Sequence, residues 1–88
     1  MKACAGYVLR NIAGELLLMP TGDNIARFGG ALLMNELSAF VWKKLQQPMT
    51  RDELLSAILD EYNIDEKTAA QDLDALLTEL KEMQVIEA

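Results

Sequence analysis

The chain reads as an α+β domain with its sheet at the N-terminal end and its helices behind it. Two observations predict this. Two runs of β-forming residues flank Ala13-Gly14 at hairpin spacing, and three helix-period apolar stripes, each opened by a capping residue, fill the chain from residue 35 onward. Strands first and helices second is the α+β order, and a short sheet with three helices is also the composition of a winged helix-turn-helix.

Tyr7 to Ile12 forms the first expected strand and Glu15 to Met19 the second, more apolar one. Pro20 stops the second strand because it has no N–H to give to a ladder. Thr21-Gly22-Asp23-Asn24 is a turn by composition, and Ile25 to Phe28 is compatible with strand or loop. Gly29-Gly30 then breaks the chain, and Ala31 to Met34 resumes extended. Either of these last two segments is free to pair with the hairpin.

The first expected helix opens at Asn35, a good N-cap, with Glu36 complementing the positive end of the helix dipole. Leu37, Phe40, Val41 and Leu45 share one face, Trp42 lies beside it, and Pro48 ends the segment. The second helix has the clearest start: Thr50 and Glu53 make a capping box, and Met49 and Leu54 a hydrophobic staple around it. Its stripe is Leu54, Leu55, Ile58, Leu59 and Tyr62. The third helix begins near Asp65, with Ala69, Leu73, Leu76, Leu77, Leu80 and Met83 as its stripe. Val85-Ile86 is a short tail that returns to the core or adds a strand. Residues 1–88 form a single domain, with no repeat, linker or low-complexity segment.

Composition removes most chemistry. The chain has no histidine and one cysteine. That excludes histidine-based triads, zinc sites built on imidazole, and an internal disulfide. Cys4 falls near the start of the chain, where mobility is the rule, and reads as an incidental thiol. Asp72 and Asp74, at i and i+2 on a helix, point about 200° apart and do not converge on a cation. Gly29-Gly30 lacks the Gly-Lys-Ser/Thr that completes a phosphate loop, and no Ser-x-x-Lys or nucleophile elbow is present. Catalysis is not expected, nor is any cofactor.

Charge is unevenly placed. Residues 1–51 hold six Lys/Arg and three Asp/Glu, a net +3; residues 52–88 hold two and eleven, a net −9, which together give the chain's −6. An anionic third helix is the wrong surface for phosphates, so the winged-helix nucleic-acid-binding or regulatory alternative is disfavoured. No apolar run approaches the roughly 20 residues of a membrane span, and the first residues lack the h-region of a signal peptide. A cytoplasmic protein with no membrane partner is the expectation. Phe40 and Trp42 read as core aromatics. An apolar strand near a sheet edge, by contrast, is what strand addition by an extended peptide requires. The same edge also suits an assembly module that pairs with its own copy.

Taken in order, several short stretches carry a family likeness. They are Val8-Leu9-Arg10 through Gly14-Glu15-Leu16-Leu17-Leu18; Met34-Asn35-Glu36 with Ala39-Phe40-Val41-Trp42; Glu53-Leu54 with Tyr62; and Asp72-Leu73 with Leu76-Leu77 and Leu80. From about Tyr7 to Glu87 the chain resembles the PqqD-like family, the recognition elements for ribosomally made precursor peptides. It departs at Met34, where Leu is usual, at Leu76, where Phe is common, and at Gln84, which replaces a Gly before the apolar tail.

The resemblance implies a winged-helix-like domain with a three-stranded antiparallel sheet followed by three helices. It also implies a non-catalytic chaperone that takes the leader of a precursor peptide as an added strand and presents it to a separate maturase, often a radical S-adenosylmethionine enzyme. A chain whose only cysteine is Cys4 cannot itself hold an iron–sulfur cluster. Carried over, Ala31, Leu32 and Leu33 are the strand edge, and Asp72, Leu73, Leu76 and Leu80 line the cleft. A monomer or weak homodimer is expected.

Overall fold

A computed structural model describes residues 1–88. Tyr7–Ile12 (β2) and Glu15–Pro20 (β3) pair antiparallel, from Tyr7 opposite Pro20 to Ile12 opposite Glu15. Ala13 and Gly14 both take positive φ, 53° and 86°, as a two-residue primed turn demands. The Asn11 side chain accepts a hydrogen bond from the Gly14 N–H at 3.1 Å and closes the turn.

Leu32–Met34 (β4) supplies the third strand, antiparallel to β3, with Leu16, Leu17 and Leu18 opposite Met34, Leu33 and Leu32. The sheet order is therefore β2-β3-β4, and β4 is an edge. Ala31, expected in this strand, lies just outside it and is exposed.

The intervening Asn24–Phe28 is a short helix (α1), neither strand nor loop. The Thr21–Asp23 turn already points the chain into helical geometry, with the Asn24 and Ile25 N–H groups donating to the carbonyls of Thr21 and Gly22. Gly29, left-handed at φ 73°, ends the helix. Asn24 ties it to the hairpin by donating to the Gly6 carbonyl at 3.2 Å, and a Cβ on Gly6 would collide with that side chain.

The three expected helices are Glu36–Lys44 (α2), Arg51–Glu61 (α3) and Glu66–Glu82 (α4). Asn35 caps α2 by a reciprocal exchange with Ser38: its Oδ1 accepts from the Ser38 N–H at 2.8 Å while Ser38 Oγ accepts from its own N–H. The Thr50–Glu53 capping box forms as expected, and Asp65 caps α4 by accepting from the Thr68 N–H. Gln84 takes the left-handed conformation (φ 60°) in place of glycine. Gln84 N–H donates to Lys81 and Val85 N–H to Leu80, so the exit of α4 is a full Schellman motif.

That exit aims Val85 and Ile86 into the core. Ile86–Glu87 (β5) pairs with Lys2–Ala3 (β1), which accounts for the tail and corrects the expectation of a mobile start. The Ala3 and Cys4 N–H groups donate to the Leu45 and Val85 carbonyls, and Ala3 is buried. Cys4 is half-buried with a free thiol, whose pKa is raised mainly by burial and by Glu87, and lowered by Arg27.

One core joins sheet and helices: Leu18, Val41, Trp42, Leu45, Leu54, Ile58, Leu73, Leu80 and Val85 at its centre. Trp42 packs edge-on to Tyr7, and Phe40 edge-on to Tyr62 with the Lys44 ammonium over its ring. Met83, placed on the core stripe by periodicity, is exposed because the helix unwinds at that residue. No helix is long and apolar enough to cross a membrane.

Candidate functional site

Antiparallel pairing leaves two open edges, β2 and β4, and their residues differ. Strand β2 carries Arg10 and Asn11 toward its exposed end; a charged side chain on an edge discourages pairing with another chain. Strand β4 carries no charge. Its alternation is clear: Leu32 is half-buried, Met34 is buried, and Leu33, on the opposite face, is 65% exposed. Leu33 is, with Ile12, Ile25 and Met83, one of four large hydrophobics left exposed, and the one that stands on β4 beside the cleft.

Beside this edge lies a cleft of about 560 Å³, between β4, the start of α2 and the C-terminal half of α4. Leu16, Leu32, Met34 and Leu76 form its apolar part, with Leu80 beneath them, itself closed to solvent. Two shallower depressions extend it. The first shares Asn35, Leu76 and Glu79 with the cleft and adds Leu37, Asp72 and Ala75. The second shares Glu36 with the cleft and Leu37 and Asp72 with the first depression, and reaches Tyr62 and Ile64 at the α3–α4 turn. The cleft follows β4, and both extensions join it at Asn35 and Glu36, the end of the edge nearest the β2–β3 turn, because Leu16 pairs with Met34 and so sets Glu15 beside Asn35.

The local sequence explains the placement. The Asn35 cap forces the chain from extended to helical in one step, so α2 begins directly at the end of β4. On α4, Asp72, Leu76 and Glu79 recur at i, i+4 and i+7, which puts them on one face, while Leu73, Leu77 and Leu80 turn to the core.

The expected site residues separate accordingly. Leu32, Leu33, Leu76 and Leu80 come together around the main cleft, and Asp72 borders both extensions. Ala31 flanks the edge without lining the cleft. Leu73 is fully buried within the core cluster, so its place in the cleft is corrected: it is a packing residue. Glu15, Leu16, Glu36 and Glu79 border the cleft and were missed by sequence reasoning. The i+7 step from Asp72 would have found Glu79; Glu15 and Leu16 needed the register of β3 against β4.

Solved structures share this architecture. The structure of TbiB1 in complex with the TbiA(beta) leader peptide superposes with a TM-score of 0.77 at 24% identity, covering 100% of this chain and 96% of that one. Lasso peptide synthetase B1 complexed with the leader peptide gives a TM-score of 0.70 at 20% identity, over 92% of this chain and 89% of that one. At these identities the likeness establishes the fold, a three-stranded antiparallel sheet with helices in the winged-helix-like arrangement. No curated protein matches the chain. The family model for coenzyme PQQ synthesis protein D (PqqD) matches residues 3–86, and the chain belongs to that family.

Proposed function

We propose that this chain is a non-catalytic recognition element for a ribosomally made precursor peptide. The leader segment adds as a strand to β4 and seats alternate side chains in the cleft against α4. One observation carries the reading: the only edge strand without charge exposes Leu33 beside an apolar cleft. Strand addition needs both parts, main-chain groups for affinity and adjacent pockets for side chains. Membership of the PqqD family supports it, as do the two similar structures, each described in complex with a leader peptide.

Leu32, Leu33 and Leu76 are the proposed contacts, with Leu80 as floor, Asp72 at the Asn35 end and Ala31 as the flank that the added strand passes. The bound peptide is then presented to a separate modifying enzyme, which a radical S-adenosylmethionine maturase would satisfy. We assign the chain to the cytoplasm, where precursor synthesis takes place, as a monomer or weak homodimer. The test is titration with the leader of a short precursor encoded beside this chain's gene. A dissociation constant between about nanomolar and micromolar, roughly −12 to −8 kcal/mol, is expected. Saturating leader without binding would remove that precursor, and failure across all neighbouring precursors would remove the reading.

A further inference from the structure

The cleft is apolar within and acidic along its rim. Glu15 stands at the end nearest the β2–β3 turn, Glu36 opens α2, and Asp72 and Glu79 project from one face of α4. No Lys or Arg lines the cleft or either extension. These four carboxylates also lack an ion-pair partner: both ion pairs of the chain use Arg51, which engages Asp52 and Asp74. Tyr62, at the far end of the second depression, has its phenol pKa raised by burial and by the nearby Glu36 and Glu61.

We infer that the cleft selects peptides whose extended apolar core carries lysine or arginine on the flank that reaches the Asn35 end of β4, where Glu15, Glu36, Asp72 and Glu79 stand together. This rests on the docking reading above and adds which peptides the edge accepts. Strand addition by itself discriminates little, because the main chain makes its hydrogen bonds. The rim supplies what is missing. One sign of charge along a cleft with low-dielectric walls concentrates a cationic segment and repels an acidic one. Each exposed pair is worth roughly 1.5- to 5-fold in affinity, so two or three pairs favour basic over neutral flanks by on the order of 10-fold. Acidic flanks lose by a similar factor. The preference is strongest at low ionic strength, because the screening length shrinks from about 30 Å at 0.01 M salt to about 3 Å at 1 M.

A random short-peptide display library, panned at low salt on the full chain and on Leu33→Asn, tests this. The expected outcome is enrichment of peptides that need Leu33 and carry Lys or Arg beside an apolar core. Synthetic copies should lose on the order of 10-fold when the basic flank becomes Gln, and a Glu15→Gln, Glu79→Gln variant should abolish most of that difference. Leu33-dependent peptides with neutral or acidic flanks would overturn the inference and leave the docking reading standing. Peptides that bind Leu33→Asn as well as the unaltered chain, or no enrichment at all, would overturn both.

Discussion

Replacing Leu33 with asparagine isolates the strand edge from the rest of the molecule. The substitution is nearly isosteric and neutral, so it leaves the acidic rim unchanged. Leu33 is 65% exposed in the free chain, so at most about two-thirds of its burial remains to be gained when a peptide docks. Full burial of a leucine is worth about 1.5–3 kcal/mol, which leaves roughly 1–2 kcal/mol for the complex. Asparagine is also a poor strand former, but β4 is already paired with β3 in the free chain, so that penalty falls on the fold and not on affinity. Leader affinity should therefore fall by about 5- to 30-fold, read by fluorescence anisotropy with a labelled leader. The free protein should lose less than about 1 kcal/mol, a Tm shift of at most about 8 °C. Ile25→Asn is the control: Ile25 is 59% exposed but lies on α1, away from the cleft, and should leave affinity unchanged. Equal affinity for Leu33→Asn and the unaltered chain would refute the assignment of β4 as the docking edge.

Leu73→Ala should destabilise the fold by about 2–5 kcal/mol in chemical denaturation, because Leu73 is wholly buried and leaves a cavity. Leu76→Ala, on the half-buried cleft face, should cost the fold less but weaken leader binding. Gln84→Gly should raise stability by about 1 kcal/mol, since a left-handed residue with a Cβ is strained by roughly that amount; a lower Tm would contradict the Schellman exit. In acid the fold should weaken through Asp65 and Asp74. Hydrogen bonds from the Thr68 backbone to Asp65 and from Arg51 to Asp74 lower their pKa values in the folded state. Their contribution is full above about pH 4 and drains as pH falls through the folded values. An Asp65→Asn, Asp74→Asn variant should show a flatter Tm-against-pH curve below about pH 4.

Local signals made most of the fold legible, because its elements are defined locally. The Thr50–Glu53 box, the Asn35 cap and the Ala13-Gly14 turn all form where the sequence places them. What was not legible depends on contacts distant in sequence. Asn24–Phe28 becomes helical in company with Gly6, reached by the Asn24 side chain across the hairpin. The first residues are ordered because Val85 and Ile86 return to them. The site divides in the same way. Leu32, Leu33 and Leu76, expected from pattern and resemblance, do line the cleft, whereas Leu73 lies in the core because core and cleft faces of α4 adjoin and periodicity alone does not say where one ends. Glu15 and Leu16 join the site only through the pairing of β3 with β4.

The most direct test is a backbone-amide NMR titration with the leader of a neighbouring precursor, combined with amide exchange at saturation. Strand addition predicts shifts concentrated at residues 31–34 and 72–80, and slowed exchange at amides of β4 that face away from β3. Shifts confined to β2 and the C-terminal end of α2, with β4 exchange unchanged, would contradict the account and move the docking edge to the other side of the sheet.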